Sequence, residues 1–189
     1  MTIVFVRHGE SIANRLSKEP DGFLCGRYDC ELTEKGMEQA KSLRDNPDLL
    51  GADAYFCSPL KRTVQTITAF TDREYVLDDR IAERTMGDFD GHTLKELTSE
   101  PNYYEYFYGD KKEFRSSFTV TAPNGENYSD VEKRVAAFIC DLKAKNYNKV
   151  VVVSHFVSIR CMIKLIKGLS EEETLKLKVD QCEPIVISI

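Results

Sequence analysis

A histidine and an arginine stand together where the first apolar segment of this sequence ends. Residues 2–6 read Thr-Ile-Val-Phe-Val, which is typical of a strand buried on both faces, and Arg7-His8-Gly9-Glu10 follows directly. Neutral imidazole is nucleophilic, and guanidinium binds anions through a fork of N–H donors. Because open α/β sheets bind ligands beyond the carboxyl ends of their strands, these side chains are candidates for a site. The tetrapeptide alone is equally compatible with a histidine that only packs or caps.

A second histidine follows the most strand-like segment of the chain. Residues 149–154 read Lys-Val-Val-Val-Val-Ser, and His155 comes next. This composition predicts a central strand. If strands 2–6 and 150–154 are parallel neighbours, His8 and His155 meet above the same edge of the sheet. Spacing alone supports this convergence.

Strand-like and helix-like segments alternate along the rest of the sequence. Further strands are predicted at 54–57, 74–77 and 184–189, and helices at 33–44, 58–70, 128–145 and 157–167. Ser58-Pro59 predicts the start of the helix that carries Arg62, with serine as its N-cap. We therefore predict one domain over residues 1–189, with a three-layer α/β/α, doubly wound architecture around a mostly parallel sheet.

Residues 92–120 are predicted to form a helical lid insertion. A short helix is expected from Thr93, because Thr93 and Glu96 have the spacing of a capping box. Aromatic residues then alternate with charged ones, at Tyr103, Tyr104, Tyr106, Phe107, Tyr108, Phe114 and Phe118. We expect most of these rings to pack on the core and one or two to face a pocket.

Composition narrows the functional classes. The chain has 189 residues, of which 30% are charged, and its net charge of −5 argues against a nucleic-acid or anionic-membrane partner. No apolar run has membrane-spanning length, and the first residues lack a secretory signal pattern. Six cysteines form no Cys-x-x-Cys pair, so we expect reduced thiols in a cytoplasmic protein, with Cys57, Cys140 and Cys161 in apolar surroundings. We expect no metal and no cofactor; monomer and homodimer both stay open.

Four separated motifs give the strongest indication of function. They are Arg7-His8-Gly9-Glu10, Ser58-Pro59 with Arg62, Glu83 ahead of Gly87-x-Phe89-x-Gly91, and Ser154-His155, with supporting matches at Asn14 and Gly26-Arg27. In this order they resemble the histidine phosphatase superfamily, which includes the cofactor-dependent phosphoglycerate mutases. The resemblance covers essentially the whole chain and implies a phosphoglycerate mutase-like fold.

The resemblance implies a role for each matching residue. His8 becomes a phosphohistidine, and Glu83 protonates the leaving oxygen and then activates water. The implied phosphate-binding residues are Arg7, Asn14, Gly26, Arg62, Glu83 and His155. Each has a plainer interpretation: Arg62 as a solvated helix charge, or Glu83 as a surface acid paired with Arg84. Glu10 is expected to be structural.

Three functions are compatible with these motifs. The first is a metal-independent phosphomonoesterase, of the histidine acid phosphatase type, that acts on a small phosphorylated metabolite. Asn124-Gly125-Glu126 and the 179–182 segment favour it, because they resemble α-ribazole-phosphate phosphatases and broad-specificity relatives. The second is a cofactor-dependent phosphoglycerate mutase, favoured by Glu83-Arg84. The third is a non-catalytic phosphate-binding module. One departure leaves the pocket shape open: Phe156 follows His155, where the superfamily usually has glycine.

Overall fold

A five-stranded sheet lies at the centre of the chain. The computed structural model describes residues 1–189, and its strands are β1 (Thr2–Arg7), β2 (Ala54–Cys57), β3 (Val76–Leu77), β4 (Lys149–Ser154) and β5 (Ile185–Ser188). Their order is β3-β2-β4-β1-β5, and only the β1–β5 pairing is antiparallel. The predicted mostly parallel α/β architecture is confirmed.

Eight helices connect and cover the strands. They are α1 (Ile12–Leu16), α2 (Glu34–Lys41), α3 (Lys61–Phe70), α4 (Leu94–Ser99), α5 (Tyr104–Phe107), α6 (Tyr128–Lys143), α7 (Phe156–Lys167) and α8 (Glu171–Lys176). None of them has the length and apolar character needed to cross a membrane. The predicted cap at Thr93 is confirmed, and the side chains of Thr33 and Asn127 cap α2 and α6 in the same way. Helix α2 ends at Lys41, earlier than expected, and turns follow it.

Alternate residues of the central strands face two helical layers. Ile3 and Phe5 of β1 pack in one cluster with the buried faces of α6 and α7. Val4 and Val6 pack in a second cluster with α3 and with Leu43, just after α2. Because successive residues of a strand point to opposite faces of the sheet, a strand of apolar residues alone is buried on both faces. The sheet therefore lies between two layers of helices, as predicted.

The pairing of β1 with β4 positions both strand-end histidines. Arg7 lies opposite Ser154 in the parallel register, so His8 and His155 follow at the same edge of the sheet. The two imidazole rings are edge-to-face, with centroids 5.1 Å apart. The predicted convergence of the two histidines is confirmed.

The predicted start of α3 is wrong. The helix begins at Lys61, and its N-cap position is Leu60, which has an extended backbone and makes no side-chain cap. Ser58 lies two residues before this N-cap. Its hydroxyl lies 2.7 Å from Nε2 of His155 and accepts only a long bond, at 3.5 Å, from the backbone N–H of Leu60; both Ser58 and His155 are fully buried. A polar contact across the sheet edge thus replaces a local helix cap.

The 92–120 segment forms short helices around one buried ring. Tyr103, Tyr106, Phe107 and Phe114 surround Phe89, with ring centroids 4.8 to 5.5 Å away. These contacts make a small third core. Action of the segment as a lid stays a prediction.

The six cysteines are all free thiols. Cys57 and Cys161 are fully buried, as expected from their apolar neighbours in the sequence. The expectation for Cys140 is wrong: its side chain lies on the solvent face of α6, because the buried stripe of that helix runs through Phe138, Ile139 and Leu142.

Candidate active site

A cavity of about 360 Å³ opens at the carboxyl ends of β1 and β4. Its walls are formed by Arg7, His8, Ser11, Asn14, Cys25, Arg62, Glu83, Arg84, Met86, Arg115, Ser116, Tyr128, Phe156, Val157 and Arg160. Most of the residues predicted to bind phosphate therefore share one space. His155 lies fully buried beside His8. Gly26 and His155 are the two exceptions among the predicted residues, because neither lines the cavity.

His8 is held as a neutral imidazole of defined tautomer. Its Nδ1 lies 2.7 Å from the carbonyl oxygen of Gly9. A carbonyl only accepts, so Nδ1 carries the proton and Nε2 keeps its lone pair. Burial, together with the positive charges of Arg62 and Arg7, holds the pKa of His8 well below its usual 6.5. The free nitrogen is therefore nucleophilic at neutral and mildly acidic pH.

His155 has one satisfied ring nitrogen and one without a partner. Nε2 contacts Ser58 Oγ, whereas Nδ1 is buried and has no hydrogen-bond partner in the chain. Burial and the charge of Arg62 hold the pKa of His155 well below 6.5. Buried polar atoms are rarely left unpaired, so Nδ1 is a candidate contact for a ligand.

Arg62 is fixed by backbone carbonyls and has no ion pair with a carboxylate. Its Nη1 donates to Tyr28 O at 2.8 Å and its Nη2 to Gly26 O at 2.6 Å. Glycine is required at 26, because a Cβ there would lie 2.1 Å from Arg84 O. Gly26 thus supports Arg62 and has no place in the cavity wall. The plainer interpretation of Arg62 as a solvated helix charge is wrong, since only 2% of the residue is exposed.

One carboxylate holds the loop that supports Arg62. The side chain of Asp90 accepts from the backbone N–H groups of Gly26, Arg27 and Tyr28, at 2.7, 2.7 and 3.0 Å. These bonds fix the direction of the two carbonyls that bind the guanidinium. Asp90 therefore acts on the cavity through the loop and not by lining it.

Glu83 is the only carboxylate in the cavity wall. Its Oε1 accepts from the backbone N–H of Arg84 at 2.8 Å, and its Oε2 from the backbone N–H of Val157 at 3.2 Å. The guanidinium of Arg84 instead donates to the carbonyls of Phe114 and Arg115. Glu83 is thus held by the first turn of α7 and is not a surface acid paired with the Arg84 side chain.

Asn14 presents an amide nitrogen and Glu10 stays outside the cavity. Oδ1 of Asn14 accepts from Ser11 N–H and from Gln181 Nε2, which leaves Nδ2 as a free donor. Glu10 forms ion pairs with Lys18 and Lys35, at 3.2 and 3.4 Å. Its contacts are those of a structural residue, as the sequence predicts.

Sequence reasoning missed part of the cavity wall. Arg84, Arg115 and Arg160 join Arg7 and Arg62, which makes five arginines against one carboxylate. None of the aromatic rings of residues 103–118 lines this cavity, contrary to the expectation for one or two of them. Most pack on Phe89 or Tyr128, whereas Tyr104 and Tyr108 are exposed and contact each other. From that segment only Arg115 and Ser116 line the cavity. No group of three or more His, Cys, Asp or Glu side chains is arranged to hold a metal ion.

The chain belongs to the histidine phosphatase superfamily (branch 1), whose family model matches residues 3–189. The predicted resemblance is thereby confirmed. Phosphoserine phosphatase 1 of Hydrogenobacter thermophilus is 32% identical over 170 residues, which cover 88% of this chain and 76% of that protein. A probable phosphoglycerate mutase, GpmB, of Enterobacter sp. is 27% identical over 96% of this chain and 82% of its own length.

A solved structure shares the whole fold. The α-ribazole phosphatase from Shigella flexneri superposes with a TM-score of 0.84 at 27% identity. The match covers 100% of this chain and 91% of that one. The architecture described above is therefore the phosphoglycerate mutase-like fold that the motifs predict.

Proposed function

We propose that this protein is a phosphomonoesterase that transfers the phosphoryl group of a small organic phosphate to His8 Nε2 and then to water. The observation that carries the proposal is a buried, neutral imidazole with a free Nε2, in one cavity with Arg7 and Arg62. Similarity to a phosphoserine phosphatase and to an α-ribazole phosphatase supports this class of reaction.

Donors without protein partners bind the phosphoryl oxygens. Arg7 offers Nε and Nη2, since only its Nη1 is bound, to Val179 O. Asn14 offers Nδ2. In the tautomer of His155 that we propose, the hydroxyl of Ser58 donates to Nε2 and the proton lies on Nδ1, where it can bind an oxyanion. These fixed donors stabilise charge on the equatorial oxygens of the transition state, so the step is metal-independent.

Glu83 handles the protons of both steps. In the first, Nε2 of His8 forms a bond to phosphorus, the bond to the substrate oxygen breaks, and that oxygen takes a proton from Glu83. In the second, Glu83 takes a proton from water as the water oxygen attacks phosphorus. The bond to Nε2 then breaks and inorganic phosphate leaves. The position of Glu83 in the cavity wall, held by two backbone N–H groups, supports this role.

The substrate carries a second anionic group. Arg84, Arg115 and Arg160 line the cavity beyond the phosphate-binding residues, and the guanidinium of Arg115 has no hydrogen bond or ion pair. A phosphate ester with a carboxylate would satisfy these charges. The name of the phosphoserine phosphatase relative fits such a substrate. We therefore place phosphorylated hydroxy- or amino-acids ahead of phosphate esters without a second anionic group, such as α-ribazole phosphate.

A phosphoglycerate mutase is the alternative. The Glu83-Arg84 pair favours it, and so does the similarity to a probable phosphoglycerate mutase. A mutase keeps the phosphohistidine and returns the phosphoryl group to a second hydroxyl of its substrate. The two functions differ in whether water reaches the phosphohistidine.

The test is a phosphate-release screen in excess EDTA. The substrates are phosphoserine, 3-phosphoglycerate, α-ribazole phosphate and an aryl phosphate, beside an isomerisation assay with 3-phosphoglycerate. We expect release of phosphate from phosphoserine and 3-phosphoglycerate, the two phosphate esters that carry a carboxylate. We also expect no isomerisation and an acid-labile phosphoenzyme. His8→Ala should abolish formation of the phosphoenzyme and lower kcat at least about a thousandfold. Hydrolysis that survives His8→Ala, or strict metal dependence, overturns the proposal, and isomerisation without release supports the mutase.

A further inference from the structure

Phe156 places an aromatic ring in the cavity wall. It is the first residue of α7 and lies half-buried directly after His155. Two guanidinium groups lie over the ring: Cζ of Arg160 is 3.9 Å from the ring centroid, and Cζ of Arg7 is 4.9 Å from it. Both distances are within the range of cation–π attraction.

Arg7 has few other restraints. It makes one side-chain hydrogen bond, from Nη1 to Val179 O at 2.9 Å, and Nε is buried without a partner. It forms no ion pair, although the negative charges of Glu83 and Asp180 and the positive charges of Arg160 and Arg62 all act on it. Arg62, by comparison, is held by two carbonyls. The ring of Phe156 is therefore the second fixed contact of the Arg7 guanidinium.

Hydrogen bonds within the chain fix the guanidinium of Arg160 without any ligand. Its Nε and Nη2 donate to Leu177 O at 3.0 and 2.6 Å, and its Nη1 donates to the hydroxyl of Tyr128 at 3.1 Å. The ring thus rests on a cation that the chain itself fixes. The backbone of Phe156 is fixed as part of the first turn of α7.

We infer that Phe156 is a positioning residue for Arg7, which holds the guanidinium in the orientation that binds the phosphoryl oxygens. The inference rests on the proposed function, in which Arg7 contacts phosphate. An aromatic face orients a cation without neutralising it and without occupying its N–H donors. A carboxylate in the same place would do both and would weaken phosphate binding. Phenylalanine therefore supplies order and leaves the charge and the donors of Arg7 to the ligand.

The first experiment measures binding of inorganic phosphate by calorimetry, which needs no turnover. Phe156→Leu keeps the apolar bulk and removes the aromatic face, so phosphate should bind roughly three- to thirtyfold more weakly. Phe156→Tyr keeps the face and should bind within about twofold of the native chain. Thermal unfolding checks that both variants are folded. If Phe156→Leu binds phosphate as the native chain does, the inference is overturned.

A double-mutant cycle separates positioning from general packing. Orthovanadate affinity is compared among the native chain, Phe156→Leu, Arg7→Gln and the double variant. If Phe156 acts through Arg7, the loss caused by Phe156→Leu disappears in the Arg7→Gln background. Equal losses in both backgrounds overturn the inference. A chain that binds phosphate and shows this coupling but hydrolyses nothing would contradict the proposed function alone.

Discussion

The two buried histidines, His8 and His155, differ in which ring nitrogen is left without a partner in the chain. A backbone carbonyl occupies Nδ1 of His8, and a serine hydroxyl occupies Nε2 of His155. The nitrogens left for a ligand are therefore Nε2 of the first ring and Nδ1 of the second. The carbonyl sets the tautomer of His8 and suits that ring to attack. The serine hydroxyl can donate or accept, and in the tautomer that we propose for His155 its Nδ1 donates a hydrogen bond to the ligand.

The variant Ser58→Ala tests the role of His155 as a hydrogen-bond donor to the ligand. Ser58→Ala leaves Nε2 of the buried His155 without its partner, so the ring loses the contact that holds its orientation and favours the proposed tautomer. We expect kcat/KM and orthovanadate affinity to fall about tenfold. Steady-state kinetics and inhibition by orthovanadate measure the two effects.

Ser154→Ala is the matched control. Ser154 is also fully buried at the same edge of the sheet, but its hydroxyl donates to Ile81 O at 2.7 Å and does not contact His155. Both variants lose one buried hydroxyl, and only Ser58→Ala should lose oxyanion affinity. Equal losses of affinity would contradict a specific role for Ser58.

At the scale of elements, one loop connects a distant carboxylate to the cavity. Asp90 binds three consecutive N–H groups of residues 26–28, and two carbonyls of the same loop bind Arg62. Asp90→Ala frees these N–H groups and should release Arg62 from its fixed direction. We expect roughly a ten- to hundredfold lower kcat/KM, with a loss of about 1–3 kcal/mol in the free energy of unfolding.

Asp88→Ala is the control for this loop. Asp88 is exposed, lies two residues away, and accepts from the side chain of Asn124. Kinetics and urea denaturation of both variants give the comparison. A kcat/KM for Asp90→Ala that equals that of Asp88→Ala would contradict the coupling through the loop.

The sequence predicts strand-end residues better than residues on the other elements. Arg7 and His155 follow long apolar runs, so their place at the sheet edge follows from the pattern alone. Arg160 and Arg115 were not predicted, because their entry into the cavity depends on the rotation of α7 and on the packing of short helices around Phe89. The local pattern predicts a helix cap at Ser58, because its partner in the fold, His155, is distant in the chain.

At the scale of the whole molecule, both histidines make the stability of the fold depend on pH. Their pKa values are lowered in the folded chain by burial, so below pH about 6.5 the unfolded chain binds more protons than the folded one. Stability is therefore fully present above pH about 6.5 and is lost as pH falls below it. Each histidine contributes up to about 1.4 kcal/mol per pH unit to this slope.

His92 supplies the control for the pH dependence. Its imidazole is half-exposed, whereas the other two are buried. His8→Gln or His155→Gln should reduce the slope of the unfolding free energy between pH 5 and 7, and each should reduce it more than His92→Gln does. Urea denaturation across this range measures all three. An unchanged slope in His8→Gln and His155→Gln would contradict the burial of neutral imidazoles.

The strand order has a consequence for the time at which the site can form during synthesis. β1 pairs with β4 and β5, which are the last two strands of the chain. His8 leaves the ribosome early, but its strand has no partner until residues 149–154 follow. Local contacts can form α2 and α3 beforehand, whereas the β1–β4 pairing must close a loop of most of the chain. The cavity at the ends of β1 and β4 can therefore form only after residues 149–154 have been synthesised.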